Sequence, residues 1–391
     1  MSHEAFLVGG VRTPHGRYGG SLREVRLVDL GGIAGAAVMQ RAGLDPALVE
    51  EVVVANCRQA GNGPNPGRQI SLRAGVPEAV PAQTINMACA SGLKAVAMAS
   101  HAVATGEVAT ALAVAAESMS TMPYLASHQL RWQGMRRGDI TLADGWQDGG
   151  TDPVCGLTMG QTAENIAADH DISRADQDAW ALRSQQRAAE AWRAGRFAEE
   201  VVAVPHGDGV LERDETYRDT TAEKLAKLAP AFAAQGTVTA GNSSQMADGA
   251  AAVVVAGGDT VRAHGLRPWA RLRSFAAVGV DPSRMGVGPV AAIPPALRRA
   301  GLTVDDVDLF EINEAFAAQI VHNVRQLKLS EDRVNVNGGG IALGHPTGQS
   351  GARIVVSLLH ELARRGQRLG VASLCVGGGQ GVAAVIERVD P

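Results

Sequence analysis

The sequence reads as an α/β protein built from two similar halves. Short apolar runs alternate with amphipathic helical stretches, the pattern of strand–helix–strand units. The two ends of the chain echo each other at a nearly constant offset. Glycine (47 residues) is abundant and aromatics are only 4%. Small side chains let helices and strands approach closely, which suits stacked layers better than a β-sandwich.

The predicted strands, in order, are Ala5–Val11, Glu51–Ala55, Gln83–Met87, Thr110–Ala115, Ala250–Ala256, Arg271–Val280, Asp308–Ile312, Leu369–Val376 and Val382–Glu387. RAGL occurs at Arg41–Leu44 and again at Arg299–Leu302, each time before an acidic-flanked strand that ends on an asparagine, Asn56 or Asn313. SGLKAVAMASHAVATG from Ser91 matches SGARIVVSLLHELARRG from Ser350. Gly92/Gly351, Lys94/Arg353, Val96/Val355 and His101/His360 keep one spacing, and a strand follows in both copies. Several matches in one order point to duplication and a pseudo-twofold axis.

The first half is interrupted. From residue 118 to 249 the chain turns charged and Trp-containing, with helices expected over Gly160–His170 and Ser173–Ala194. The second opens on Ser173 and Asp176, a capping-box start. An insertion of this length suits a lid or substrate-binding subdomain. The expected organisation is 1–117, first part of the N-terminal half; 118–249, an inserted loop domain that binds CoA; 250–268, completion of that half; and 269–391, the C-terminal half.

With 391 residues and 46% hydrophobic residues, the chain can bury a large interior. Net charge is -4 and no long basic run occurs, which argues against nucleic acid as a partner. The four cysteines, Cys57, Cys89, Cys155 and Cys375, form no CxxC pair. That argues against a zinc site or disulfide framework and suits a reducing cytoplasm. The start lacks a signal-peptide pattern and no apolar span is long enough for a membrane.

INMACASGLKAVAMAS places Cys89 where a strand gives way to a helix. A cysteine is most often a small buried hydrophobe. Here unpaired N–H groups and the helix dipole favour a thiolate, and the neighbours Ala88, Ala90, Ser91 and Gly92 leave room for a substrate. Its counterpart in the second half is the glycine-rich turn GGGIALGHPTGQSGAR around Gly348, which holds His345 pinned by Pro346. A pseudo-twofold axis brings the two turns together, so His345 is the candidate base for Cys89. Cys375 ends the strand GVASLCV before Gly377, Gly378 and Gly379. The GGGQG run is not a dinucleotide loop, because no crossover helix follows it. Asn313 opens NEAFAAQ at a strand end, where it could cap a helix or face a ligand.

NMACASG, NEAFA, GGGIALGHPTGQSGAR and CVGGGQG, in this order, resemble the thiolase family. The early RTPHGRYGGSL and the middle TVTAGNSSQMADGAAA resemble it too, so the likeness runs from Phe6 to Glu387. The resemblance implies five αβαβα layers, the inserted loop domain, and homodimers or homotetramers. It implies CoA-dependent cleavage of a 3-oxoacyl-CoA to acetyl-CoA and a shortened acyl-CoA, as in fatty acid β-oxidation. In it Cys89 is the nucleophile, His345 takes its proton, and Cys375 is the acid/base at the α-carbon. His345 and a water on Asn313 hold the enolate oxygen. Backbone N–H groups of Cys89 and Gly377 hold the tetrahedral oxyanion. CoA and acyl-CoA are substrates, with no resident cofactor and no metal. Met159, Phe232, Ala240, Ser244 and Phe316 match positions along the pantetheine arm.

Two departures bear on specificity. PVCGLTMGQ carries Thr158 where the biosynthetic branch has a loop histidine, and AGNSSQ is closer to the degradative branch. The alternatives are a biosynthetic acetyl-CoA C-acetyltransferase and, of another class, a non-catalytic acyl-CoA- or lipid-binding relative. The latter would be expected to lose one of the four catalytic side chains, and all four are present. A ketoacyl-ACP synthase is disfavoured by the terminal CVGGGQG thiol.

Overall fold

The computed structural model of the chain describes residues 4–135 and 137–389. The first half comprises β1 (Ala5–Arg12), α1 (Leu27–Ala42), β2 (Glu51–Ala55), α2 (Pro66–Arg73), β3 (Ala82–Ile85), α3 (Ser91–Thr105) and β4 (Thr110–Ser118). Then come α4 (Met159–Asp169) and α5 (Arg174–Arg193), and β5 (Ala247–Gly257) closes that half. The second half comprises β6 (Ala270–Gly279), α6 (Gly288–Ala300), β7 (Leu309–Ile312), α7 (Ala317–Gln326), α8 (Ser350–Arg365), β8 (Leu369–Val376) and β9 (Gln380–Arg388).

The strands run β3-β2-β4-β5-β1 and β7-β8-β9-β6, joined through the single pair Leu7↔Ala270. Numbered within its own half, the first order is third-second-fourth-fifth-first. The second half repeats it, with the third strand reduced to one parallel bridge between Phe310 and Val334. Directions agree as well: β2/β3, β2/β4 and β7/β8 are parallel, while the remaining pairs are antiparallel. Even the bulges recur, between Leu7 and Gly9 on β1 and between Leu272 and Ser274 on β6. The duplication expected from the sequence is therefore present in the fold.

Three apolar clusters define the layers. Val52, Val54, Leu112 and Val254 face α1 and α2. Phe310, Val371, Ala383 and Val385 face α6 and α7. The alternate residues, Val53, Ala113 and Val253 from one half and Ala372, Leu374 and Ala384 from the other, enclose α3 and α8. Successive strand residues point to opposite faces, so strands covered on both sides read as unbroken apolar runs. The layers are αβαβα, with α3 and α8 in the middle.

Some boundaries differ from the sequence reading. β3 stops at Ile85 because Asn86 Oδ1 accepts the Ala88 N–H at 2.9 Å and Ala88 takes a left-handed φ of 45°. The weak third strand of the second half has a local cause. Asn335 offers its side-chain amide to Ile312, accepting its N–H at 2.9 Å and donating to its carbonyl at 2.8 Å. One side chain thus does the work of a strand pair.

β4 and β5 lie side by side, and residues 119–246 leave the sheet between them. There α4 and α5 start on capping boxes, Thr158 with Gln161 and Ser173 with Asp176. This segment is tied to the core through Arg12 at the end of β1. The wholly buried Arg12 pairs with Glu200 at 2.6 Å and Asp214 at 2.7 Å. Removing Arg12 would leave two buried carboxylates without their cation, a loss of about 3–5 kcal/mol. Among the described residues, no helix is long and apolar enough to cross a membrane.

α3 and α8 touch backbone to backbone. A Cβ on Gly92 would sit 2.5 Å from the Ala352 nitrogen, and one on Gly351 would sit 2.3 Å from the Leu93 nitrogen. Backbone cannot yield as a side-chain tip can. Gly351→Ala should therefore lower stability by at least about 1–3 kcal/mol, the usual overpacking cost. Urea midpoints of the variant and the parent check this, and an unchanged midpoint would mean that the helices are free to separate.

Candidate active site

Cys89 lies between β3 and α3, half-buried at the tip of the strained turn. Ser91 Oγ accepts the Met87 N–H and donates to the Ala88 carbonyl, both at 2.7 Å, which locks that turn. The backbone N–H groups of Gly377 and of Cys89 itself point at the thiol. Burial nevertheless dominates and raises the Cys89 pKa. The expectation that the helix end alone would favour a thiolate is corrected: the resting group is a thiol that needs a base. Gly92, read as room for substrate, instead makes room for α8.

His345 is buried and meets Cys89 in one cavity of about 450 Å³. Its Nδ1 is 2.6 Å from Ser350 Oγ, whose hydroxyl donates to the Pro346 carbonyl at 3.0 Å. That hydroxyl has one proton, so it accepts from an Nδ1–H, and Nε2 is left with a lone pair. Asn313 Nδ2 lies 3.4 Å from that Nε2. Burial, with the nearby Arg353 and His15, pushes the His345 pKa down to about 3. The imidazole is neutral and able to take a proton.

The structure brings most of the predicted residues together. Cys89, His345, Cys375, Gly377, Met159, Phe232, Ser244 and Phe316 line this cavity. Asn313 stands behind His345, outside the lining, and does not cap α7, which starts after Phe316. Ala240 is exposed and lies outside the lining. Phe232 and Phe316 stack edge to face with ring centroids 6.0 Å apart. A Cβ on Gly160 would lie 2.1 Å from the Phe232 ring, so that glycine seats the aromatic pair. Cys375 is almost wholly buried, and burial first, then Cys89, raises its pKa. Its resting form is therefore the thiol. Gly339 and Gly340 accommodate Glu314 and Asn313, which a Cβ at either position would crowd.

Family models for the thiolase N-terminal domain and the thiolase C-terminal domain match residues 5–259 and 266–388. The chain belongs to the thiolase family. It is 45% identical over 398 residues to an acetyl-CoA acetyltransferase of Syntrophomonas wolfei, covering 100% of both chains. It is 47% identical over 408 residues to a beta-ketoadipyl-CoA thiolase of Pseudomonas aeruginosa, again covering 100% of both. A crystal structure of human mitochondrial 3-ketoacyl-CoA thiolase in complex with CoA superposes with a TM-score of 0.96 at 42% identity, covering 99% of this chain and 98% of that one. This thiolase is thus an acyltransferase.

Glu117, at the end of β4, escaped the sequence reading. It is fully buried and gathers Asn56 Nδ2 (2.7 Å), the N–H groups of Cys57 and Arg58 (3.1 Å each), Thr347 Oγ1 (3.1 Å) and the Gly348 N–H (2.8 Å). It fastens the His345 turn of one half to the strand ends of the other. The available signal was an acid closing the otherwise apolar TALAVAAES. Cys57 and Arg58 also line the cavity unforeseen, and burial pushes the Cys57 thiol up to about 12. In the loop, Asp152 Oδ2 accepts the Gly378 N–H at 2.7 Å and ties residues 119–246 to the turn after Cys375.

His15 shares the interior behind His345, with Nδ1 2.6 Å from the Leu343 carbonyl. Burial holds its pKa down at about 4. The unfolded chain therefore binds this proton below about pH 6.5 while the folded chain refuses it, and stability drains away as pH falls from about 6.5 towards 4. His15→Gln keeps a donor for Leu343 but cannot titrate. Relative to the parent, its stability should rise by about 1.4 kcal/mol for each pH unit below 6.5. Urea titrations at pH 7 and pH 5 measure this, and a pH-independent difference would contradict it.

Proposed function

We propose that this thiolase cleaves 3-oxoacyl-CoA with CoA through an acyl group carried on Cys89. The observation that supports it most is the meeting of the Cys89 and Cys375 thiols, a neutral imidazole and two backbone N–H donors in one cavity. His345 takes the Cys89 proton, and the thiolate attacks the 3-oxo carbon. Negative charge on that oxygen falls to the N–H groups of Cys89 and Gly377. The Cα–Cβ bond then breaks, leaving acyl-Cys89 and the enolate of acetyl-CoA. His345 and a water on Asn313 hold the enolate oxygen, and Asn313 Oδ1, without a partner among the described residues, is available to orient such a water. The Cys375 thiol protonates the α-carbon and becomes a thiolate. An incoming CoA thiol gives its proton to Cys375 and displaces Cys89, which recovers its own proton from His345.

The CoA arm is assigned to the groove between residues 119–246 and the core, past Met159, Phe232, Ser244 and Phe316, with Ala240 at its outer end. Degradation is favoured over synthesis by the position of Thr158. It is the N-cap of α4, its side chain engaged with Gln161. Relatives named acetyl-CoA acetyltransferase keep formation of acetoacetyl-CoA as the second reading, and rates with acetoacetyl-CoA against longer 3-oxoacyl-CoAs separate the two. Four free cysteines suit a reducing cytoplasm, and a role in β-oxidation follows from the degradative direction. Assembly into dimers or dimers of dimers is supported by the edge of β3, which among the described residues pairs only with β2.

Cys375→Ser separates the roles. Acyl transfer to Cys89 involves no α-proton, so the variant should still be acetylated by acetyl-CoA. Its thiolysis rate should drop by roughly 10²–10⁴-fold or more, the usual share of general acid–base catalysis. Exchange of acetyl-CoA methyl protons with deuterium from solvent should cease. Exchange at the parent rate would remove Cys375 from the proton path.

A further inference from the structure

The cavity that holds Cys89 contains a cation that the proposed mechanism does not use. Arg58 follows β2 and lines that cavity. Its backbone is pinned by the N–H bond to Glu117, the carboxylate that also holds the His345 turn. Its guanidinium lies close enough for its charge to act on the Cys89 thiol. Among the described residues, no acid pairs with it, and its buried Nε has no hydrogen-bond partner.

A second lining residue is in the same condition. Trp146 packs its ring over Gly150, and its buried Nε1–H donates to nothing among the described residues. Of the residues lining the cavity, these two carry the unpartnered buried side-chain atoms, and both atoms are donors. Much of the remaining wall is apolar, including Met119, Met159, Met285 and Phe316. Arg58 is half-buried, and a cation beside such a wall is a ready partner for an anion that enters the cavity. A guanidinium receives a carboxylate through two parallel hydrogen bonds.

The known parts of the substrate do not supply that anion. The oxyanion of the reacting carbonyl is served by the N–H groups of Cys89 and Gly377. The CoA phosphates lie at the far end of the pantetheine arm when the thioester is at Cys89, too distant for a residue beside that thiol. The acyl chain remains. We propose that Arg58, assisted by the Trp146 Nε1–H, selects 3-oxoacyl-CoA whose acyl chain ends in a carboxylate, a 3-oxodicarboxylyl-CoA. This assignment rests on the thiolase reading of the same cavity and names its substrate class. The covalent steps are those given above, and the distal carboxylate takes no part in them.

The test is thiolysis by the purified enzyme of 3-oxoadipyl-CoA and of the uncharged 3-oxohexanoyl-CoA, which has the same number of acyl carbons. The parent enzyme should favour the dicarboxylate in kcat/KM. In Arg58→Met, which keeps side-chain length without charge, the ratio of the two kcat/KM values should fall by roughly 10–100-fold, the worth of a hydrogen bond to a charged group. Arg58→Lys should recover part of the ratio, since charge returns without the planar fork. Trp146→Phe, which keeps a ring and removes the N–H, should lower the ratio less. A parent that cleaves the uncharged chain as well as the dicarboxylate overturns the proposal, as does a ratio indifferent to Arg58, and either leaves the thiolase reading standing. A folded parent that cleaves neither substrate overturns the proposed function and this assignment with it.

Discussion

The rest of the structure depends on how closely α3 and α8 cross. Gly92 and Gly351 leave no space for a side chain where the two helices meet. Each helix begins at the turn that carries one half's chemistry, Cys89 before α3 and His345 before α8. The crossing therefore decides how near the thiol and the imidazole can come. It also fills the space between the inner faces of the two sheet halves, so positioning of the site and burial of the central core are one packing problem.

Electrostatics then sets the state in which the site waits. Burial keeps all three cavity thiols above their ordinary range and His345 below it. Resting charge is thus kept out of the reacting pair, and proton transfer begins between two neutral groups. Arg58 adds a positive charge nearby. Glu117, its pKa raised by burial, fastens one half's turn to the other's strand ends, which keeps the cavity walls in register.

The fold was readable because duplication prints itself twice. The RAGL pair, the Ser91/Ser350 helices and the alternation of strands with helices required no knowledge of the interior. The second half's third strand was not readable, because a single asparagine amide, that of Asn335, replaces the ladder that an alternating pattern would reveal. The chemistry-bearing side chains were readable where they sit in glycine-rich motifs, as Cys89, His345 and Cys375 do. Asn313 was ambiguous until α7 was seen to begin at Ala317, beyond its reach as a cap. Glu117 and Arg58 were hidden for a different reason. The groups that Glu117 gathers come from segments far away in the chain, and a lone acid or base carries no spacing signal. Of the small residues around Cys89, Ala88 lines the cavity, whereas Gly92 serves helix contact rather than substrate entry.

Because Cys57, Cys89 and Cys375 all line the same cavity, the most direct measurement is to ask which sulfur carries the acyl group. The enzyme is mixed briefly with acetyl-CoA, quenched in acid, digested and analysed by peptide mass spectrometry. The account predicts one acetyl group, on the peptide containing Cys89, and none in a Cys89→Ala enzyme. An acetyl group found instead on Cys57 or Cys375, or full turnover by Cys89→Ala, would contradict it.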